Sequence, residues 1–200
     1  MEEGTAAAAA MQPWQRTIGA PRVVPPVDNS EPPDHLVLEH VMGFSVDRSS
    51  ESLMYSRGEV SFFSSNVAVI MDQKLKKQRF YMDHTSTVTA MSVHPSEPVM
   101  ATGEQSETGT IRIWNSETMQ TINVLDGFHR RGICHLEFSP NGKMLATVGY
   151  DRFHSVAIYD WANGHIISYS PSFTVKSYCL QFHPNSLSLV HCGDEGVRFY

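Results

Sequence analysis

The sequence predicts an all-β protein of the β-propeller class, in which small four-stranded sheets recur along the chain. Short runs of β-branched and aromatic residues are separated by turn residues, and no segment carries the apolar stripe of a helix. A strand that ends beside a proline recurs after 45 and then 44 residues, at His94-Pro95, Ser139-Pro140 and His183-Pro184. Four short strands in every ~40–45 residues is the period of a propeller sheet.

Residues 1–33 differ in composition from the rest of the chain. Five consecutive alanines are followed by six prolines, and few apolar residues are present to build a core. Because proline fixes φ and lacks a backbone donor, we expect an extended or disordered arm. Two interpretations of this arm stay open: a solvated tail, or a segment that lies along a partner with Trp14 as its anchor.

The next segment, 34–83, is predicted to contain a hydrophobic motif and a divergent first sheet. Its strands are expected at 53–55, 59–63, 66–72 and 79–81, where apolar runs alternate with glycine, serine and asparagine. This sheet lacks the X-Pro pair of the later repeats.

Three clearer repeats follow, at 84–127, 128–172 and 173–200. Each starts with an alternating strand, continues with a strand that ends on glycine, and has a third strand that ends on an aromatic residue. The predicted strands are 88–93, 100–103, 110–114 and 121–125, then 133–138, 145–149, 155–159 and 166–169, then 178–182, 190–193 and 196–200.

The last repeat lacks a fourth strand, so the sequence predicts a partial propeller of about three and a half sheets. An open sheet edge and an uncovered apolar face are unfavourable in water. We therefore expect further sheets to complete the propeller, supplied by a longer protein or by another chain.

Composition argues against several classes of partner and compartment. The formal charge is −6, which disfavours general binding to nucleic acids or anionic membranes. No apolar run reaches the roughly 18–20 residues of a membrane span, and the N-terminus lacks the basic region of a secretory signal. The three cysteines, Cys134, Cys179 and Cys192, form no CxxC pair, so we expect a reducing intracellular compartment.

The histidines and cysteines form no recognisable catalytic or metal-binding motif. None of the ten histidines lies in an HExxH or CxxC…HxxxH arrangement. His94 and His183 occupy equivalent repeat positions, where a role in a turn explains them. Cys134 and Cys179 also match each other and are expected to pack as small apolar residues. We predict a protein that is not an enzyme and that uses no metal or other cofactor.

The repeats resemble those of the WD-repeat superfamily. In that superfamily a turn Asp and a His join a hydrogen-bonded tetrad with a hydroxyl residue and a Trp. The substitutions found here argue against a complete tetrad in any repeat. The degenerate markers are Asp83-His84, Phe128-His129, Glu107, Asp151, Asp194, Trp114-Asn115 and Tyr159-Asp160.

A closer resemblance follows from the serial order of several segments. The segment 32–44 precedes 66–71 and 77–81, and 111–114 and 157–161 come later. In this order they resemble the hydrophobic motif and first sheets of the echinoderm microtubule-associated protein-like (EMAP-like) family. The resemblance covers about residues 31–200. It implies an atypical tandem propeller that binds tubulin or microtubules, with ciliary doublets as one setting.

The resemblance also implies roles for the N-terminal part. The apolar residues Leu36, Leu38, Val41 and Phe44 are assigned to packing rather than to a binding epitope. Many family members carry a trimerising coiled coil, but residues 1–33 contain no heptads, so coiled-coil self-trimerisation is not expected.

Basic residues mark two candidate contact sites for the acidic surface of tubulin. Four positive charges fall within six residues at the turn between the third and fourth strands of the first sheet, and an arginine pair lies on a later loop. The structural alternative is a solvated hairpin tip. The candidates are Lys74, Lys76, Lys77 and Arg79 in the turn, and Arg130 and Arg131 in the loop.

Together these observations predict a non-enzymatic, microtubule-associated propeller that acts as a scaffold. The expected partners are tubulin or the microtubule lattice and other microtubule-associated proteins. The expected location is the cytoplasmic cytoskeleton, with the axoneme of a cilium or flagellum as a specific setting. The alternative, from a different class, is a general protein–protein adaptor propeller in a soluble complex.

Overall fold

The computed structural model describes residues 35–43 and 52–200 of the chain. These residues contain fifteen β-strands and no helix, and therefore no helix able to cross a membrane. The chain divides into two units, Met1–Val37 and Leu38–Tyr200. In the first unit only residues 35–37 are described, and they are exposed.

The strands form four antiparallel sheets, each a meander in chain order. Sheet 1 contains β1 (Leu53–Ser56), β2 (Glu59–Ser64), β3 (Val67–Asp72) and β4 (Gln78–Tyr81). Sheet 2 contains β5 (Val88–Val93), β6 (Val99–Glu104), β7 (Ile111–Asn115) and β8 (Thr121–Leu125). Sheet 3 contains β9 (Ile133–Phe138), β10 (Leu145–Gly149), β11 (Val156–Asp160) and β12 (His165–Ser170). Sheet 4 contains β13 (Ser177–Phe182), β14 (Leu189–Gly193) and β15 (Gly196–Phe199).

Consecutive sheets pack face to face through apolar clusters, which confirms the predicted all-β propeller fold. Because side chains alternate along a strand, each inner sheet buries one set of residues against the preceding sheet and the other set against the following one. Each large side chain buried in this way contributes about 1.5–3 kcal/mol. Representative members are Phe63 and Met91 between sheets 1 and 2, Ile113 and Leu136 between sheets 2 and 3, and Val148 and Leu180 between sheets 3 and 4.

The first strands of neighbouring sheets lie side by side and run in the same direction. The Thr89 hydroxyl donates to the Ile133 carbonyl at 2.6 Å, and the Ser92 hydroxyl accepts from the Phe138 N–H at 3.2 Å. From the first contact to the second the residue number increases on both β5 and β9, so the two strands are parallel. This orientation gives every sheet the same two ends.

The two ends form opposite faces of the Leu38–Tyr200 unit. The turns that join first to second and third to fourth strands lie on one end, which we call the lysine face because it carries Lys74, Lys76 and Lys77. The connections between second and third strands, and between sheets, lie on the other end, which we call the arginine face because it carries Arg130 and Arg131.

Hydrogen bonds link the loops within each face. On the lysine face, the His94 ring Nε2 is 3.0 Å from the Gly142 carbonyl in the corresponding turn of the next sheet. On the arginine face, the Arg131 N–H donates to the Glu107 carbonyl at 3.4 Å. These bonds connect neighbouring loops on each face.

Sheet 4 has three strands in the described part of the chain, and β15 is its open edge. Val197 and Phe199 on β15 are 55% and 77% exposed, whereas the corresponding residues of sheet 3, Val156 and Ile158, are covered by sheet 4. This matches the incomplete last sheet that the sequence predicts.

The hydrophobic motif differs from expectation. Leu36 and Leu38 are exposed, and Val41 is half-buried. Residues 35–43 form no strand, so their side chains do not alternate against a sheet. The segment is held instead by the Gln78 side chain, whose amide accepts from the Val41 N–H at 2.7 Å and donates to the Val41 carbonyl at 3.0 Å. Phe44 lies outside the described residues.

Candidate interaction surfaces

The β3–β4 turn presents three lysines on an ordered hairpin end. The Asp72 carboxylate accepts from the N–H groups of Leu75 at 2.9 Å and Lys74 at 2.7 Å, and these bonds lower the pKa of Asp72. The N–H of Lys76 donates to the Asp72 carbonyl at 2.9 Å. The side chains of Lys74, Lys76 and Lys77 are all exposed. The turn therefore holds three cations close together in solvent.

Arg79, the fourth member of the predicted cluster, has an internal partner. Its guanidinium donates to both oxygens of the Glu59 carboxylate, at 2.8 and 2.9 Å, and to the Ser116 carbonyl at 3.3 Å. A bidentate pair of this kind fixes the position of the guanidinium. Arg79 thus connects sheet 1 to a turn of sheet 2, and Glu59 balances its charge.

Arg130 and Arg131 lie in the connection between β8 and β9. Both are exposed, and neither makes an ion pair with another residue in the parts of the chain that the structure describes. They border an open cleft of 480 Å³ whose other walls come from Gln105, Ser106 and Glu107.

The structure separates the two predicted basic sites onto opposite faces. An antiparallel meander places the turn after the third strand and the connection after the fourth strand at opposite ends of the sheet. The lysine cluster and the arginine pair therefore cannot contact the same flat partner at once. Trp14, the remaining candidate, lies outside the described residues.

A buried polar network supports the arginine-face loops in sheet 2. The Trp114 Nε1–H donates to the Thr102 hydroxyl at 3.0 Å, and that hydroxyl is 2.9 Å from His84 Nε2. His84 Nδ1 is 2.9 Å from the Glu104 carboxylate, which also accepts from Arg112 Nε at 2.6 Å. His84 and Glu104 are fully buried. The sequence-based expectation of an incomplete tetrad is wrong for this sheet.

The acidic member of this network is Glu104 and not Glu107, the residue that the repeat pattern predicts. Glu107 is exposed and lines the arginine-face cleft. Glu104 follows directly after Gly103, where the second strand approaches the preceding loop. A carboxylate next to the glycine that closes a second strand was the signal in the sequence that could have identified it.

Sheet 3 contains a related but looser network. His129 Nε2 is 2.7 Å from the Thr147 hydroxyl, and its Nδ1 is 3.6 Å from the Asp151 carboxylate. Tyr159 stands where sheet 2 has its tryptophan. Burial alone would raise the pKa of Asp151, but the adjacent His129 ring and hydrogen bonds from Ser155 outweigh burial and hold this pKa well below its usual range.

Sheet 4 rearranges the same positions. His191 occupies the strand position that is threonine in sheets 2 and 3, and its two ring nitrogens contact the hydroxyls of Ser172 (2.8 Å) and Ser177 (2.5 Å). Tyr200, at the position of the tryptophan, donates to the Ser172 hydroxyl at 2.8 Å. Phe173 lies where the other sheets have a loop histidine.

The remaining repeated histidines act in turns. His94 is buried, and its Nδ1 accepts from the Glu97 N–H at 2.9 Å, while His183 Nδ1 accepts from the Asn185 N–H at 3.2 Å. Cys134 is buried between sheets 3 and 4, as expected, but the same expectation is wrong for Cys179, which is exposed on β13. Among the residues that the structure describes, no three His, Cys, Asp or Glu side chains are grouped to hold a metal ion. The described histidine networks organise loops and turns.

Two solved structures of designed proteins share the fold. The computationally designed Ika4 protein superimposes with a TM-score of 0.66 at 20% identity, over 84% of this chain and 97% of that chain. The designed Ika8 protein gives a TM-score of 0.63 at 21% identity, over 75% of this chain and 45% of that one. At these identities the likeness concerns the fold alone.

Similarity to natural proteins is more specific. The 77 kDa echinoderm microtubule-associated protein of Strongylocentrotus purpuratus is 30% identical over 180 residues, and echinoderm microtubule-associated protein-like 2 of Mus musculus is 28% identical over 182 residues. Each match covers 84% of this chain but only 26% and 28% of the relatives, so the chain spans about a quarter of their length.

The model of one protein family covers most of the chain. It is described as the first beta-propeller of echinoderm microtubule-associated protein, and it matches residues 77–200, which include sheets 2 to 4. The chain belongs to the echinoderm microtubule-associated protein family.

Proposed function

We propose that this protein is a non-enzymatic, microtubule-associated propeller that contacts tubulin or the microtubule lattice. Support comes from its family and from relatives whose names describe them as microtubule-associated. The chain corresponds to about a quarter of the length of those relatives.

The observation that carries the proposal is the cluster of three exposed lysines, Lys74, Lys76 and Lys77, in a protein with a formal charge of −6. A compact group of cations creates a local positive potential despite the negative total. Such a cluster would strengthen binding to the repeating acidic surface of a lattice, and added salt would weaken the binding because it screens the charges. In this proposal Arg79 supports the hairpin through Glu59 and does not itself touch the lattice.

The arginine face is proposed to serve a second partner. When the lysine face lies on a filament, Arg130 and Arg131 point to the opposite side, where the 480 Å³ cleft is open. We assign this face to other microtubule-associated proteins, which gives the molecule a scaffold role. Trp14, on the N-terminal arm, is proposed as an additional anchor.

The setting follows from the same family resemblance. We place the protein on the cytoplasmic cytoskeleton, and more specifically on the doublet microtubules of cilia or flagella. The His84 and His129 networks support WD-type repeats at 84–127 and 128–172. The net negative charge supports a protein partner over nucleic acid or an anionic membrane.

Co-sedimentation with polymerised tubulin tests the proposal. The protein is mixed with microtubules at about 50 and about 200 mM salt, alongside the charge reversal K74E/K76E/K77E and the matched control R130E/R131E. All five side chains are exposed, so both variants should keep the stability of the parent to within about 0.5 kcal/mol.

We expect the parent and the arginine variant to pellet at low salt, and the lysine variant to stay in the supernatant. Parent protein that stays in the supernatant at low salt would remove microtubule association and favour a soluble adaptor. A lysine variant that pellets like the parent would preserve the function and reject the lysine face as its site.

A further inference from the structure

His191 lies fully buried on β14, in the region where sheet 4 meets sheet 3. Its two ring nitrogens are occupied by the hydroxyls of Ser172 and Ser177, and its ring packs at 4.7 Å from Phe173. A neutral imidazole has one donor and one acceptor, and serine hydroxyls rotate to satisfy both. The site is therefore complete for the uncharged ring.

The charged and titratable groups around His191 are mostly basic. The His135 ring on β9 of sheet 3 lies 6.5 Å away between centroids, and His154 and Arg198 also act on His191 electrostatically from the β10–β11 connection and from β15. The Tyr200 hydroxyl reaches the site through Ser172. A proton added to His191 would meet several neighbours that are positive or can become positive.

The described carboxylates of sheet 4 are directed elsewhere. Glu195 accepts from the Thr174 hydroxyl and N–H and lies 3.5 Å from Arg198, while Asp194 accepts from the Tyr178 hydroxyl. Neither is within ion-pair distance of His191 in the part of the chain that the structure describes.

The buried histidines of sheets 2 and 3 have a different kind of partner from His191. There the buried histidines His84 and His129 each face a carboxylate, Glu104 at 2.9 Å and Asp151 at 3.6 Å. A carboxylate stabilises a protonated histidine, and a buried charge without one is costly. His191 is thus the buried network histidine with no acidic partner among the described residues.

Sheet 4 contacts one other sheet, sheet 3, in the part of the chain that the structure describes. It packs on sheet 3 through Leu180, Phe182 and Leu189, whereas its other side, with Val197 and Phe199, is exposed. Sheets 2 and 3 are covered on both sides. A penalty introduced at His191 therefore acts on the interface between sheets 3 and 4.

We propose that His191 makes the interface between sheets 3 and 4 acid-sensitive, so that protonation of this ring releases sheet 4 and exposes the apolar surface around Cys134 and Leu180. The device belongs to the fold and does not depend on the proposed microtubule contact. On acidification the propeller would expose additional apolar surface, and this change would be confined to the interface of sheet 4 with sheet 3.

The direction of the pH dependence follows from proton linkage. Burial, followed by the positive neighbours, lowers the pKa of His191 from 6.5 to about 4. The unfolded sheet takes up the proton first, so stability is lost as pH falls from about 6.5 to about 4. The opening equilibrium should rise up to about tenfold for each pH unit in this window.

Hydrogen exchange between pH 7 and pH 4.5, corrected for the intrinsic exchange rate, tests the proposal on the whole chain. We expect protection in β13 and β14 to fall at least about tenfold, while protection in β6 and β7 changes by less than about threefold. His191→Gln should abolish the difference between the sheets, because the amide does not titrate. His183→Gln, which changes an exposed histidine of the same sheet, should keep it.

Proton titration of the histidine rings in the unmodified protein gives a second readout that needs no variant. We expect the His191 ring to titrate below about pH 5.5. A midpoint at or above 6.5 would overturn the proposal, as would parallel loss of protection in sheets 2 and 4. Retention of the sheet-specific loss in a folded His191→Gln variant would overturn it too.

Discussion

Replacing Glu104 by Gln is expected to remove a large part of the stability that the sheet 2 network provides. The carboxylate is fully buried and accepts from His84 (2.9 Å), Arg112 (2.6 Å) and Thr85 (3.0 Å). Burial alone would raise the pKa of Glu104, but these hydrogen bonds outweigh it and lower the pKa from 4.5 to about 2. A change of that size corresponds to about 3 kcal/mol, so we expect Glu104→Gln to cost about 2–4 kcal/mol at pH 7.

The pH dependence of that cost separates lost charge from lost packing. Because the folded pKa of Glu104 lies below its unfolded value, its contribution is present above about pH 4.5 and is lost as pH falls toward 2. Urea unfolding followed by tryptophan fluorescence at pH 7 and pH 3 measures both values. Glu107→Gln, at an exposed position, is the control and should cost less than about 0.5 kcal/mol. Equal losses at the two pH values, or a loss below about 1 kcal/mol at pH 7, would refute the reasoning.

Further substitutions test how closely the sheets pack. Gly103→Ala would place a methyl carbon 2.5 Å from the Ile133 side chain, and we expect it to cost more than about 2 kcal/mol in urea unfolding. Gly58→Ala meets no neighbour within 4 Å but has φ of +83°, so a cost of only about 1 kcal/mol is expected; equal costs would contradict the clash. Trp161→Phe loses the 2.7 Å bond to the Gly142 carbonyl and should cost about 1–2 kcal/mol, and an unchanged unfolding midpoint would show that this bond contributes nothing.

The strands could be predicted because their signals are local. Strand β5 spans Val88–Val93, as the alternating pattern before Pro95 predicts, and β9 spans Ile133–Phe138 before the equivalent proline. Alternation, turn residues and a repeat of about 44 residues require no knowledge of distant contacts. The repeat alone does not fix single positions: Cys134 packs in the core as predicted, whereas Cys179 pairs with Cys192 at the position that His135 takes in sheet 3, and it is exposed.

The partners of individual side chains could not be predicted, because they depend on the register between strands. Arg79 meets Glu59 because β2 and β4 both pair with β3, which brings residues 20 apart in sequence together. The exchange of roles at His191 likewise becomes visible only once its strand is aligned with those of sheets 2 and 3. The four basic residues therefore look like one site in the sequence. In the structure Lys74, Lys76 and Lys77 are exposed to solvent, whereas Arg79 is paired with Glu59.

We propose that this propeller, with its two chemically distinct faces, docks on microtubules by the lysine face. An electron cryomicroscopy map of microtubules decorated with the protein would show which face lies on the lattice. We expect density in which the β3–β4 turn with Lys74, Lys76 and Lys77 lies against the lattice, and Arg130 and Arg131 point away. Density with the arginine face on the lattice, or filaments that remain bare at low salt, would contradict it.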